Sequence, residues 1–196
     1  MENQQINDVF DLLNCIKERE RNLIDYIMDF VFIPCSKGNY EYIRAIPEKG
    51  TDTISKKAFG YNNKLKMVII DKKVKKIGNC AFYNCKNLSF ISIPDTVTEI
   101  GQDVFSECGN LENIKIPKFL SIIKSGTFSE CHKLKKVIIP NSVEKIMEFA
   151  FYCCSDLEYL FIPNSVSDIE FSAFSECRQL KTKIIPKRFE NKYIFN

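Results

Sequence analysis

The chain has 196 residues, enough for one domain with a substantial core, and 28 basic against 25 acidic side chains leave a formal charge of +3. A balance so near neutral does not call for nucleic acid or an anionic membrane as partner. The most apolar run, residues 23–34, is interrupted by Asp25 and Asp29 and is too short to cross a bilayer, so no membrane insertion is expected.

Residues 1–34 read as a helical N-terminal segment. Ile6, Val9, Phe10, Leu13 and Ile16 recur at steps of three and four, Lys17 to Arg21 interrupt them, and Leu23, Ile24, Ile27, Met28 and Val31 form a second apolar face behind Asn22 as a cap. The polar start lacks the basic region and apolar core of a secretory leader. Nine cysteines, an odd number, do not suggest a disulfide framework. Both features give a cytoplasmic expectation, with delivery to the cell surface by an unconventional route as the alternative. Two short strands follow, at residues 32–34 and 42–47, joined through Ser36 to Asn39. Residues 35–53 are expected to form a degenerate opening coil.

From residue 54 onward one pattern returns every 23 residues, six times. Phe59, Phe82, Phe105, Phe128, Phe151 and Phe174 keep that step, and so do Leu65 to Leu180 and Ile70 to Ile185. A fixed period held without insertion is the mark of a stacked-repeat solenoid, whose first coil needs a cap; the helical segment 1–34 is expected to supply it. Within the unit starting at Leu88, Ile91 and Ile93 alternate as in a half-buried strand, and Pro94 ends it because proline has no N–H for a ladder. Pro117, Pro140, Pro163 and Pro186 repeat the stop, with Asp71 in its place in the first unit. Val97 and Ile100 point inward again on the return side, and a small residue precedes each core phenylalanine. Three residues after each Phe from Phe82 onward comes a cysteine: Cys85, Cys108, Cys131, Cys154 and Cys177. Their spacing is the fold's own period. A column of thiols facing backbone carbonyls explains it better than a metal site, which wants paired cysteines or histidines.

The run Leu-x-x-Ile-x-Ile-Pro-x-x-Val-x-x-Ile-x-x-x-Ala-Phe-x-x-Cys resembles the 23-residue leucine-rich repeat of the BspA-like family, over about residues 54–190. The resemblance implies a leucine-rich-repeat solenoid, an α/β-type right-handed superhelix of mostly short parallel strands lining a concave face. It also implies adhesion or other protein–protein contact, often as a surface antigen, and no catalysis. Three departures stand out: Lys183 occupies an inward strand position, Lys192 falls where the return isoleucine belongs, and the sequence stops at Asn196. Residues 54–196 are therefore expected to hold six repeats, the last incomplete, with self-association through that coil possible.

Chemistry is sparse. The only histidine, His132, falls in a variable column with Lys86, Gly109, Ser155 and Arg178, which reads as exposed surface. No catalytic residue, metal ligand or cofactor is assigned, and the chain is expected not to be an enzyme. Lys56, Lys57, Lys64, Lys66, Lys72, Lys73, Lys75 and Lys76 form a basic cluster, but without arginine or a nucleic-acid motif it reads as a solvated face.

The informative positions are the outward ones on the strands. One column holds Met67, Phe90, Asn113, Lys136, Tyr159 and Thr182; the other holds Ile69, Ser92, Lys115, Ile138, Phe161 and Ile184. Nothing in the repeat requires apolar residues there, yet seven are apolar, which suggests a protein-binding surface on the concave face. The competing explanation is β propensity alone. Phe90, Tyr159 and Phe161 are the expected anchors. The function expected is a non-enzymatic protein-interaction module; the alternative is an adhesin or surface antigen that binds host or matrix proteins.

Overall fold

In a computed structural model of the protein, the residues described are 33–35, 42–190 and 193–195. The helical segment expected at 1–34 lies outside them, apart from strand β1 (Ile33–Cys35). The chain divides into two compact units at Ile33, and the coils belong to the second.

Most coils carry two short strands. On the first side lie β2 (Tyr42–Ala45), β4 (Met67–Ile70), β6 (Phe90–Ser92), β9 (Lys136–Ile138), β11 (Tyr159–Phe161) and β13 (Thr182–Ile184). On the return side lie β3 (Thr53–Ile54), β5 (Lys76–Ile77), β7 (Glu99–Ile100), β8 (Ile122–Ile123), β10 (Lys145–Ile146) and β12 (Asp168–Ile169). All the registered pairs are parallel and join like positions of successive coils: Met67 with Phe90, Lys136 with Tyr159, Tyr159 with Thr182. The opening coil is two residues longer, since Tyr42 pairs with Met67. Asp71, standing where later coils have proline, donates its N–H to the Ala45 carbonyl, a bond proline could not make.

Like side chains pile up inside. The rings Phe59, Phe82, Phe105, Phe128, Phe151 and Phe174 stack with centroids 5.0–5.6 Å apart and planes within 14° of parallel. The leucine, valine and isoleucine columns fill the space between this file and the strands. Every cysteine of the column donates its thiol to the carbonyl of a core phenylalanine one coil back, Cys85 to Phe59 at 3.2 Å and Cys154 to Phe128 at 3.3 Å. Burial pushes the Cys85 and Cys131 thiols up to about 12, so they remain protonated donors.

Two further columns make the turn around each phenylalanine. Lys57, Cys80, Asp103, Gly126, Phe149 and Ser172 form one, and Tyr61, Asn84, Glu107, Glu130, Cys153 and Glu176 the other, all with φ between 52° and 63°. This is the left-handed region, and only one of the twelve is glycine. These left-handed residues cut each turn into pieces too short for a helix. Among the described residues there is accordingly no α-helix, only the 3-10 turn Lys187–Phe189, and the α/β-type architecture expected from sequence is corrected to a β-solenoid of about six turns.

The strand ladders are interrupted once, at the same height on both sides. The first side divides into the sheets β1-β2-β4-β6 and β9-β11-β13, the return side into β3-β5-β7 and β8-β10-β12. On the first side the intervening coil contributes only an isolated bridge from Asn113 to Lys136. Ion pairs span the seam instead. Asp95 takes Lys115 at 3.3 Å and Lys118 at 3.5 Å, and Glu99 takes Lys124 at 2.7 Å. The phenylalanine side runs on unbroken, with Asp103, Phe105 and Glu107 each donating an N–H to the next coil.

At the far end the file of rings gains a seventh member. Phe195 stacks on Phe174 at 5.7 Å, the Phe174 N–H bonds the Ile194 carbonyl, and Phe189 and Ile194 are buried. Phe195 lies 21 residues after Phe174, two short of the period. Lys183, inward in the pattern, is exposed and sets its ammonium 4.5 Å from the Phe195 ring centroid.

Candidate functional site on the strand face

The seam divides the outward positions into two sets with different surroundings. On its N-terminal side Met67 and Ile69, two of the expected contact residues, are only 3% and 6% exposed. Phe90 and Ser92, next to them in register, are half-buried. Asn113 and Lys115 mark the seam and are exposed and polar.

Beyond the seam the face is continuous and open. Ile138, Phe161 and Ile184 sit side by side in register on β9, β11 and β13, the two isoleucines 49% and 48% exposed and Phe161 half-buried between them. Neighbouring strands are roughly 4.8 Å apart, so these three side chains form one apolar strip across the sheet. Beside it run Lys136, Tyr159 and Thr182, with the Lys136 ammonium 5.0 Å from the Tyr159 ring centroid. β11 shows why the sequence folds this way: Leu160 is fully buried in the core row, so its neighbours Tyr159 and Phe161 must point out. The structure thus brings Lys136, Ile138, Tyr159 and Phe161 together, adds Ile184, and leaves Phe90 across the seam.

His132 is exposed, as its column suggested. Its Nδ1 lies 3.1 Å from the Cys153 carbonyl oxygen and 4.0 Å from the Cys153 sulfur. Burial, then Glu130 and Glu176, push that thiol above its ordinary value, opposite to the shift a nucleophilic thiolate requires. Phe119 and Phe171, 61% and 66% exposed, lie off the strands and were not singled out by the sequence. Neither continues a column, so only coordinates could show them. No described helix is long and apolar enough to cross a membrane.

The geometry described, parallel two-strand coils at a step of 23 around a file of stacked rings, defines a leucine-rich-repeat solenoid. The family model for the BspA type leucine rich repeat region matches residues 52–181 in six copies, and the chain belongs to that family. Among solved structures it is similar to a leucine-rich-repeat protein of T. pallidum, with 29% identity, a TM-score of 0.73, and coverage of 81% of this chain and 79% of that one. It is also similar to a leucine-rich cell surface protein from Faecalibacterium prausnitzii, with 28% identity and a TM-score of 0.54. That match covers 74% of this chain and 48% of the other, so it spans about half the length of the Faecalibacterium protein. No curated protein matches.

Proposed function

We propose that this chain is a non-enzymatic protein-binding module that engages its partner through the strand face beyond the seam. The observation that carries the reading is the exposed strip Ile138–Phe161–Ile184 with Tyr159 beside it. A core packed in registered rows gains nothing from apolar side chains on its outer face, and a contiguous patch of this kind is how interaction surfaces differ from ordinary surface. The family supports the reading, because repeats of this class generally serve as interaction modules. The test is affinity capture from the native source with the intact chain and with the double variant Ile138→Ser, Phe161→Ser. The reading expects a specific protein held by the first and lost by the second, with urea unfolding unchanged. An identical set of captured proteins would sink it.

A second reading places the same surface outside the cell, as an adhesin or antigen for host or matrix proteins. The similarity to the Faecalibacterium cell surface protein favours it. The protonated, carbonyl-bonded cysteine column fits a reducing interior instead. Labelling intact cells with an impermeant reagent separates the two: labelled protein supports the surface, protection until lysis supports the interior.

A further inference from the structure

We infer that the segment bound by this face is one that sets carboxylates beside apolar side chains; the inference rests on the reading of the strip as a binding surface. The twelve outward strand positions, Met67 to Ile184, include no acidic residue, although the chain has 25. Two of them are lysines, and both stand at the seam end of the apolar strip. Lys115 precedes Ile138 in one column, and Lys136 pairs in register with Asn113 and Tyr159 in the other.

Among the described residues, neither lysine is fully neutralised. Lys115 shares the single carboxylate of Asp95 with Lys118, so two ammoniums face one negative charge. Lys136 lies over the Tyr159 ring, which steadies a cation without cancelling it. Glu112 and Glu158 occupy the column just before the strands, and Glu158 is taken by Lys181 at 3.1 Å. The face is therefore polarised: positive at the seam, apolar away from it. A partner carrying a carboxylate next to an aliphatic or aromatic group would meet Lys136 and the strip together. A basic segment would be turned away by the uncompensated lysines, and a purely apolar one would leave them without a counter-charge.

The test selects peptides from a random display library on the intact chain. Synthetic copies of the enriched peptides are then titrated against the wild type, Phe161→Ser and Lys136→Glu, at low and high salt. Phosphatidylserine–phosphatidylcholine vesicles are the comparison probe. Both side chains lie on the outer face, and equal urea midpoints certify that the variants fold. The inference expects Asp or Glu within a few residues of Leu, Ile or Phe, with binding about tenfold weaker on each variant and weaker in salt. Peptides that lose affinity on Phe161→Ser but not on Lys136→Glu would overturn the acidic class and leave the surface standing. Basic enriched peptides would do the same. Peptides indifferent to Phe161→Ser, or no enrichment, would overturn both. Vesicle binding that needs Phe161 and Lys136, with no peptide binding, would replace the protein segment by a lipid surface.

Discussion

Phe105 lies between Phe82 at 5.6 Å and Phe128 at 5.5 Å, fully buried, with no loose side into which its neighbours could relax. Phe105→Ala therefore removes one ring and leaves a gap in the file, and should cost about 3–5 kcal/mol in urea unfolding. Glycines separate into two kinds by what a methyl group would meet. At Gly101 a Cβ would lie 2.6 Å from the Asn79 backbone nitrogen, and at Gly109 its nearest neighbour would be the His132 ring at 3.6 Å. Gly101→Ala should destabilise by about 1–3 kcal/mol, because only a shift of backbone makes room. Gly109→Ala should be neutral or stabilise by less than about 1 kcal/mol, by lowering the entropy of the unfolded chain. Thermal unfolding of the pair checks both. At this scale the rows of Phe, Leu, Ile and Cys were legible because each inward position tolerates few residue types. The left-handed columns were not. Eleven of their twelve positions hold other residues than glycine, as different as Lys57, Phe149 and Glu176, so no residue type marks them.

Among the elements, the seam is where side-chain charge takes over from the backbone ladder. The Ser89 and Lys135 N–H groups bond the coil before, at Lys66 and Glu112, and Thr98 and Glu144 do so on the return side, at Lys75 and Ser121. Among the described residues Glu112 and Ser121, the matching positions at the seam, make no such backbone bond. Hydrogen exchange should therefore find their amides at least about tenfold faster than those four counterparts. The ion pairs that bridge the gap are tied to pH. Burial pushes the Asp95 carboxyl up, but the Lys118 N–H and the Lys115 and Lys118 ammoniums outweigh it and hold it below its ordinary 3.8. The Lys124 ammonium holds Glu99 below 4.5. Lowered carboxyl values mean stability that is present above the unfolded-chain values and lost as pH falls through the folded ones. Acidification below about pH 4.5 should thus destabilise the wild type more steeply than the double variant Asp95→Asn, Glu99→Gln, read as urea midpoint against pH. The sequence showed the strands but not the seam, since Asn113-Ile114-Lys115 keeps the pattern and only the loss of pairing sets it apart.

As a whole, the molecule is a set of near-identical coils in which each contacts mainly its neighbours, so its outer face is free to vary while its rows are not. That is why architecture could be read from 196 letters and the proposed binding surface only in part. Seven apolar outward residues looked like one patch; burial of Met67 and Ile69 and the seam at Asn113 reduce the accessible strip to Ile138, Phe161 and Ile184 with Tyr159 alongside. The last coil was hidden for a related reason. Dropping two residues moves Phe195 off the step of 23, although it stacks on Phe174 at 5.7 Å. The most direct test of the binding face uses a photo-crosslinking amino acid at Thr182, which pairs with Tyr159 on the open sheet, and separately at Phe171, off the strands. The account predicts a covalent adduct with the captured partner from position 182 and none from 171. Adducts from 171 alone, or equally from both, would contradict it.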